Sequence, residues 1–100
     1  MSDLELINLW DEYLEKRDSD IFSKIRLYFR KAVWLIAYGE VCKAHGKIPN
    51  EEEKEMLKRE ASNIAVAVFQ YLKTTRDKPA RNFHDWIRKV TKNFCPNKSL

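Results

Sequence analysis

One hundred residues with 44% hydrophobic and 34% charged side chains have the size and balance of a single soluble domain with one core. Two glycines and three prolines are too little turn chemistry for an all-β chain. The formal net charge of +4 is modest and leaves room for local basic surfaces, and no apolar run approaches the ~20 residues of a membrane span.

The first element is an amphipathic helix over about residues 3–17. Ser2 and Glu5 form a capping box, and Leu6, Leu9, Trp10, Tyr13 and Leu14 fall on one stripe with Ile7 beside it. Asp18-Ser19-Asp20 stops it and caps the next helix.

The second helix is expected over about residues 20–45, with Gly46 as its stop. Its middle, Ala32–Tyr38, is seven residues without a charge, which predicts a segment covered on all sides at the centre of the fold. The stripe Ile21, Ile25, Tyr28, Ala32, Leu35 recurs at steps of four and three. Gly39 lies inside the helix and is read as a point where another backbone comes close.

Gly46 to Asn50 is a turn, and Asn50 with Glu53 repeats the capping box. A third helix follows over about 51–74, with Leu57, Ala61, Ile64, Val68, Tyr71 and Leu72 on its stripe and an apolar stretch from Ile64 to Phe69. Thr75–Pro79 breaks it. Pro79 suits a first helical turn, so a fourth helix is expected over about 79–94, carrying Phe83, Trp86, Ile87, Val90 and Phe94 inward. Residues 95–100 are expected to fray. The whole reads as an all-α, compact four-helix bundle, one domain over 1–100, built on a long central antiparallel hairpin of helices two and three.

Charge is segregated along the chain. Residues 1–20 hold seven acids against two bases, a net of −5, and residues 21–48 hold six bases against one acid, a net of +5. Residues 49–70 hold five acids against three bases, a net of −2, and residues 71–100 hold eight bases against two acids, a net of +6. Either the acidic first helix lies along the basic elements, or a cationic surface is left for a polyanion. The candidate surface is Arg76, Lys78, Arg81, Arg88, Lys89 and Lys92 on and before the fourth helix, with a second basic patch of Lys24, Arg26, Arg30 and Lys31. No helix-turn-helix or zinc-finger pattern is present, so contacts are expected to go to backbone phosphates. Phe83, Trp86 and Phe94 interleave with Arg81, Arg88 and Lys89 as a stacking platform would, but their spacing is that of a buried stripe.

Chemistry is not indicated. There is no Gly-rich phosphate loop, His-Glu-x-x-His helix or nucleophile elbow. Cys42 and His45 are three apart on one helix. His84 and Cys95 are about 16 Å apart on another at 1.5 Å per residue, too far to complete one zinc site. Glu51-Glu52-Glu53 suits a first helical turn, where acids oppose the macrodipole. Cys42 and Cys95 read as free thiols, no secretory leader is evident, and a cytoplasmic location is expected. The expectation is a non-enzymatic binding or regulatory protein without cofactor or metal, whose partner is nucleic acid. The alternatives are an adaptor or inhibitor occupying an acidic or nucleic-acid-binding groove of a larger protein, and a homo-oligomeric structural bundle.

Overall fold

The computed structural model describes residues 1–96. It contains four helices, α1 (Asp3–Lys16), α2 (Ser19–His45), α3 (Glu51–Thr74) and α4 (Phe83–Asn93), and no strand among the described residues. The protein is all-α. At 1.5 Å per residue the 27 residues of α2 span about 40 Å, so α2 sets the long axis of a body measuring 44 × 26 × 23 Å.

Local chemistry starts and stops the first three helices near the expected positions. Ser2 and Glu5 satisfy each other's backbone N–H groups at α1, and Asn50 and Glu53 do the same at α3. Asp18 accepts the N–H of Asp20 at the start of α2, and Gly46 ends α2 in the left-handed region at φ 80°. Arg17 ends α1 with φ 54°, a conformation costing a non-glycine residue about 1–2 kcal/mol. Its guanidinium offsets that cost by donating to the carbonyls of Lys73 and Thr75 at 3.1 and 3.0 Å and by lying over the Tyr13 ring. The Tyr13 hydroxyl donates to the same Lys73 carbonyl. Two α1 side chains thus cap the carboxyl end of α3.

The fourth helix starts later than the position of Pro79 suggests. Residues 75–82 form a linker whose backbone is held by tertiary bonds. Trp10 Nε1 donates to the Asp77 carbonyl at 2.9 Å, the Tyr71 hydroxyl donates to the Asp77 carboxylate at 2.6 Å, and Lys78 pairs with Asp11. The N-cap is Asn82, which accepts from Asp85 N–H, while Asp3 of α1 accepts from Phe83 N–H at 2.7 Å. The helix also ends at Asn93, so Phe94 is 39% exposed instead of inward. Cys95 follows with its thiol donating to the Thr91 carbonyl. Of residues 95–100, expected to fray, 97–100 lie outside the described residues.

The core stripe of α2 differs from the predicted one. Buried positions are Ile21, Phe22, Ile25, Phe29, Val33, Ala37 and Val41, while Leu35 is 52% and Tyr28 38% exposed, and Ala32 faces solvent. From Ile25 onward the buried residues recur at every fourth position. At 3.6 residues per turn each such step advances the line by about 40°, so it winds around the helix. That path suits a long helix with different neighbours along its length. The segment Ala32–Tyr38 is therefore not enclosed on all sides: only Val33 and Ala37 are buried. In the matching apolar stretch of α3, Val66 is 59% exposed.

Helix α3 lies along α2. Arg26 sits over Phe69, Trp34 bonds to Ser62 and His45 meets Glu53, so partner numbers fall on α3 as they rise on α2, and the two run antiparallel along this edge. Helix α4 packs on α1, α2 and α3. The junction holds a ring cluster of Trp10, Phe83, Trp86 and Phe29, with Trp10 5.3 Å from Trp86 and Phe29 stacked on Phe83 at 5.3 Å.

Gly39 does not mark a close approach. α2 continues through it, the residue is exposed, and a methyl group there would meet no atom within 4 Å. Replacing Gly39 with alanine is expected to raise stability by about 0.5–1 kcal/mol, read as a higher midpoint in urea. An unchanged or lower midpoint would show that the glycine serves something other than the monomer's packing.

The α2–α3 turn is tied by charge. Glu53 Oε2 lies 3.0 Å from His45 Nε2 and 3.5 Å from Lys47 Nζ. The Asn50 N–H donated to its carboxylate holds Glu53 below its usual 4.5; partial burial opposes this, and Lys47 and His45 add to the lowering. A folded-state pKa below the unfolded one means that the stabilisation is present above pH 4.5 and lost as pH falls through the folded value. Wild type should melt above Glu53→Gln at pH 7, and the difference should shrink as pH falls below 4.5 and through the folded value.

Candidate functional site

Three helices do not cover α2 completely, and the gap is a groove. Helix α4 fills one side of the α2–α3 seam; no α4 residue lines the other side, which is open to solvent as a groove of about 660 Å³. Ser19 and Trp34 mark its ends on α2, a span of about 22 Å at 1.5 Å per residue.

Its walls are of one charge. Arg17, Arg26, Arg30, Lys31 and Lys73 line it, and no Asp or Glu among the described residues does. Arg30, Lys31 and Lys73 are exposed, and their side chains make no ion pair among the described residues. Arg17 is partly committed to the end of α3, and Arg26 lies 5.9 Å from the centre of Phe69. The remaining lining is apolar and small polar. Phe22 and Phe69 are each 8% exposed, Val66 is 59% exposed, and Ser23, Ser62 and Gln70 stand between them. Trp34 is half-buried at one end. Tyr38 stacks on it at 5.0 Å and 15°, and its Nε1 donates to Ser62 Oγ at 3.0 Å.

The second basic patch divides here. Arg26, Arg30 and Lys31 join the groove. Lys24 lines a separate shallow depression with Glu5 and Glu12, an acidic setting. Arg17 and Lys73 join from the ends of α1 and α3. No spacing rule links positions 17, 30 and 73; the one local signal is a cation near the close of α1 and of α3.

The surface on and before α4 is less uniform. Arg76, Lys78 and Arg81 lie in the linker, and Arg88, Lys89 and Lys92 on the outward side of α4. Lys78 pairs with Asp11 at 3.4 Å and Lys92 approaches Glu40 at 4.0 Å. Arg76, Arg81, Arg88 and Lys89 make no ion pair among the described residues, so α1 masks Lys78 alone of the six. Asp85 stands on the same helical face, which dilutes the field. The aromatic residues beside these cations are mostly spent inside, with Phe83 fully buried and Trp86 half-buried.

Perturbed groups lie outside the groove. Burial pushes the Cys95 thiol up, which keeps it a thiol, and burial likewise raises Tyr38, helped by its hydrogen bond with Cys42. The hydrogen bond to Asp77 raises Tyr71. Among the described residues no group of three or more His, Cys, Asp or Glu is placed to hold a metal ion, and no helix is long and apolar enough to cross a membrane.

Comparison with protein-family models, with curated proteins and with solved structures finds no match to this chain.

Proposed function

We propose that the protein binds nucleic acid stoichiometrically, without chemistry of its own, by holding backbone phosphates in the groove between α2 and α3. The observation that carries this reading is the lining itself: five cations and no acid among the described residues, brought together from three helices. Cations focused along a concave, partly apolar wall attract a polyanion more strongly than the same charges on a convex face. The exposed cations of α4, Arg88 and Lys89, add to the field without closing the site.

The test is a titration of labelled oligonucleotides of mixed sequence at several salt concentrations. Binding should weaken steeply with salt, with a log–log slope of about −0.7 to −0.9 per phosphate neutralised, and should vary little with sequence. Absence of binding at low salt to DNA and RNA alike would end this reading.

A second reading rests on a different surface. Leu27 at 66%, Leu35 at 52% and Tyr28 at 38% exposure share the outward side of α2 with Lys24 and Lys31, a mixed strip of apolar groups and lysines on the helix that should have been the best covered. Such a strip favours an adaptor or inhibitor that docks on a larger protein. A partner retained from lysate after nuclease and in high salt, and absent with Leu35→Asp, would favour this reading over the first.

A further inference from the structure

We infer that the groove takes a single strand and uses its bases as well as its phosphates; this rests on the nucleic-acid reading above and specifies its ligand. The groove offers two chemistries side by side. Arg30, Lys31 and Lys73 are exposed and make no ion pair among the described residues. Between and beside them lie aromatic and apolar surfaces, of which Trp34 is the half-buried aromatic ring.

A duplex satisfies only the first chemistry. Its base faces are stacked inside, so it would lay phosphates across the cations and leave the apolar lining without a partner. A single strand supplies both, since every exposed base has a flat face that stacks on an aromatic ring whatever its identity. Trp34 is prepared for that role. Tyr38 holds one face, and Ser62 holds the Nε1 edge, so the ring is fixed before a base arrives. Arg26 lies over Phe69, so a cation–ring pair is already formed within the lining. A length of about 22 Å accommodates on the order of four to six nucleotides, at the lower end of single-strand sites.

The experiment compares four ligands of equal length on the whole protein by fluorescence anisotropy: a mixed-sequence DNA strand, the RNA strand, the DNA duplex, and an abasic strand with the same phosphates. Either base-bearing strand is expected to bind at least about tenfold more tightly than the duplex and the abasic strand. Trp34→Ala should weaken the base-bearing strand about 5- to 100-fold and leave the abasic strand unchanged. Trp34→Phe should restore most of the affinity, which a variant that had merely lost its fold would not do. If duplex and abasic strand bind as tightly as the base-bearing strands, nucleic-acid binding stands and the single-strand inference is overturned. If none of the four binds, the reading beneath it fails as well. The wild-type comparison decides between these outcomes without any variant.

Discussion

Trp10→Ala is expected to destabilise the protein by about 3–5 kcal/mol, a large part of the roughly 5–15 kcal/mol that holds a domain of this kind together. The side chain is fully buried. Its ring lies 5.5 Å from Tyr13, 5.9 Å from Phe83 and 5.3 Å from Trp86, so it joins α1 to α4. Its Nε1 donates to the Asp77 carbonyl, which fixes the linker that α4 hangs from. Truncation therefore opens a cavity at the meeting point of three segments and leaves a partly buried carbonyl without its donor. For a chain of 100 residues each kcal/mol moves Tm by about 4–8 °C, so the variant should melt well below wild type or fail to fold at about 37 °C. Trp10→Phe keeps much of the packing and loses the hydrogen bond, so it should fall between the two. A Tm within a few degrees of wild type for Trp10→Ala would mean that α1 does not belong to the core.

The charge reversal Arg30→Glu with Lys31→Glu should weaken nucleic-acid binding by at least about tenfold at low salt and lower the salt slope by about two, one for each phosphate no longer neutralised. Both side chains line the groove, both are exposed, and neither has an ion-pair partner among the described residues. Stability should therefore stay within about 0.5 kcal/mol of wild type, which separates loss of binding from loss of fold. The matched reversal on α4, Arg88→Glu with Lys89→Glu, should cost less, because Asp85 and Glu40 already temper that face. If the α4 pair proves the more damaging, the groove is not the main site and the surface around Arg76 to Lys92 is.

The helices were legible in the sequence because their ends are set by near neighbours. Ser2 with Glu5, Asn50 with Glu53, and Gly46 act within a few residues of the turns they control. Where an end is set by a distant residue the local reading misplaced it. Pro79 suits a first helical turn, yet Trp10 and Asp11 hold the linker from 67 residues away, and α4 begins at Phe83. The buried line on α2 shows the same limit. Periodicity revealed a helix with apolar residues on more than one side, but it could not say which side would be covered, because coverage is decided by where α1, α3 and α4 come to rest.

The helical class, three of the four helices nearly to the residue, and the separation of acids from bases along the chain are all readable from the order of the residues. These follow from interactions over one or two helical turns and from composition. Which cations stand together depends on how the helices pack. Arg17, Arg30 and Lys73 are far apart in the chain and come to line one groove because α3 folds back along α2 while α4 packs on the other side of their seam. A line of letters carries charge and spacing; which faces remain wet is settled only when the helices have used up the surfaces they bury.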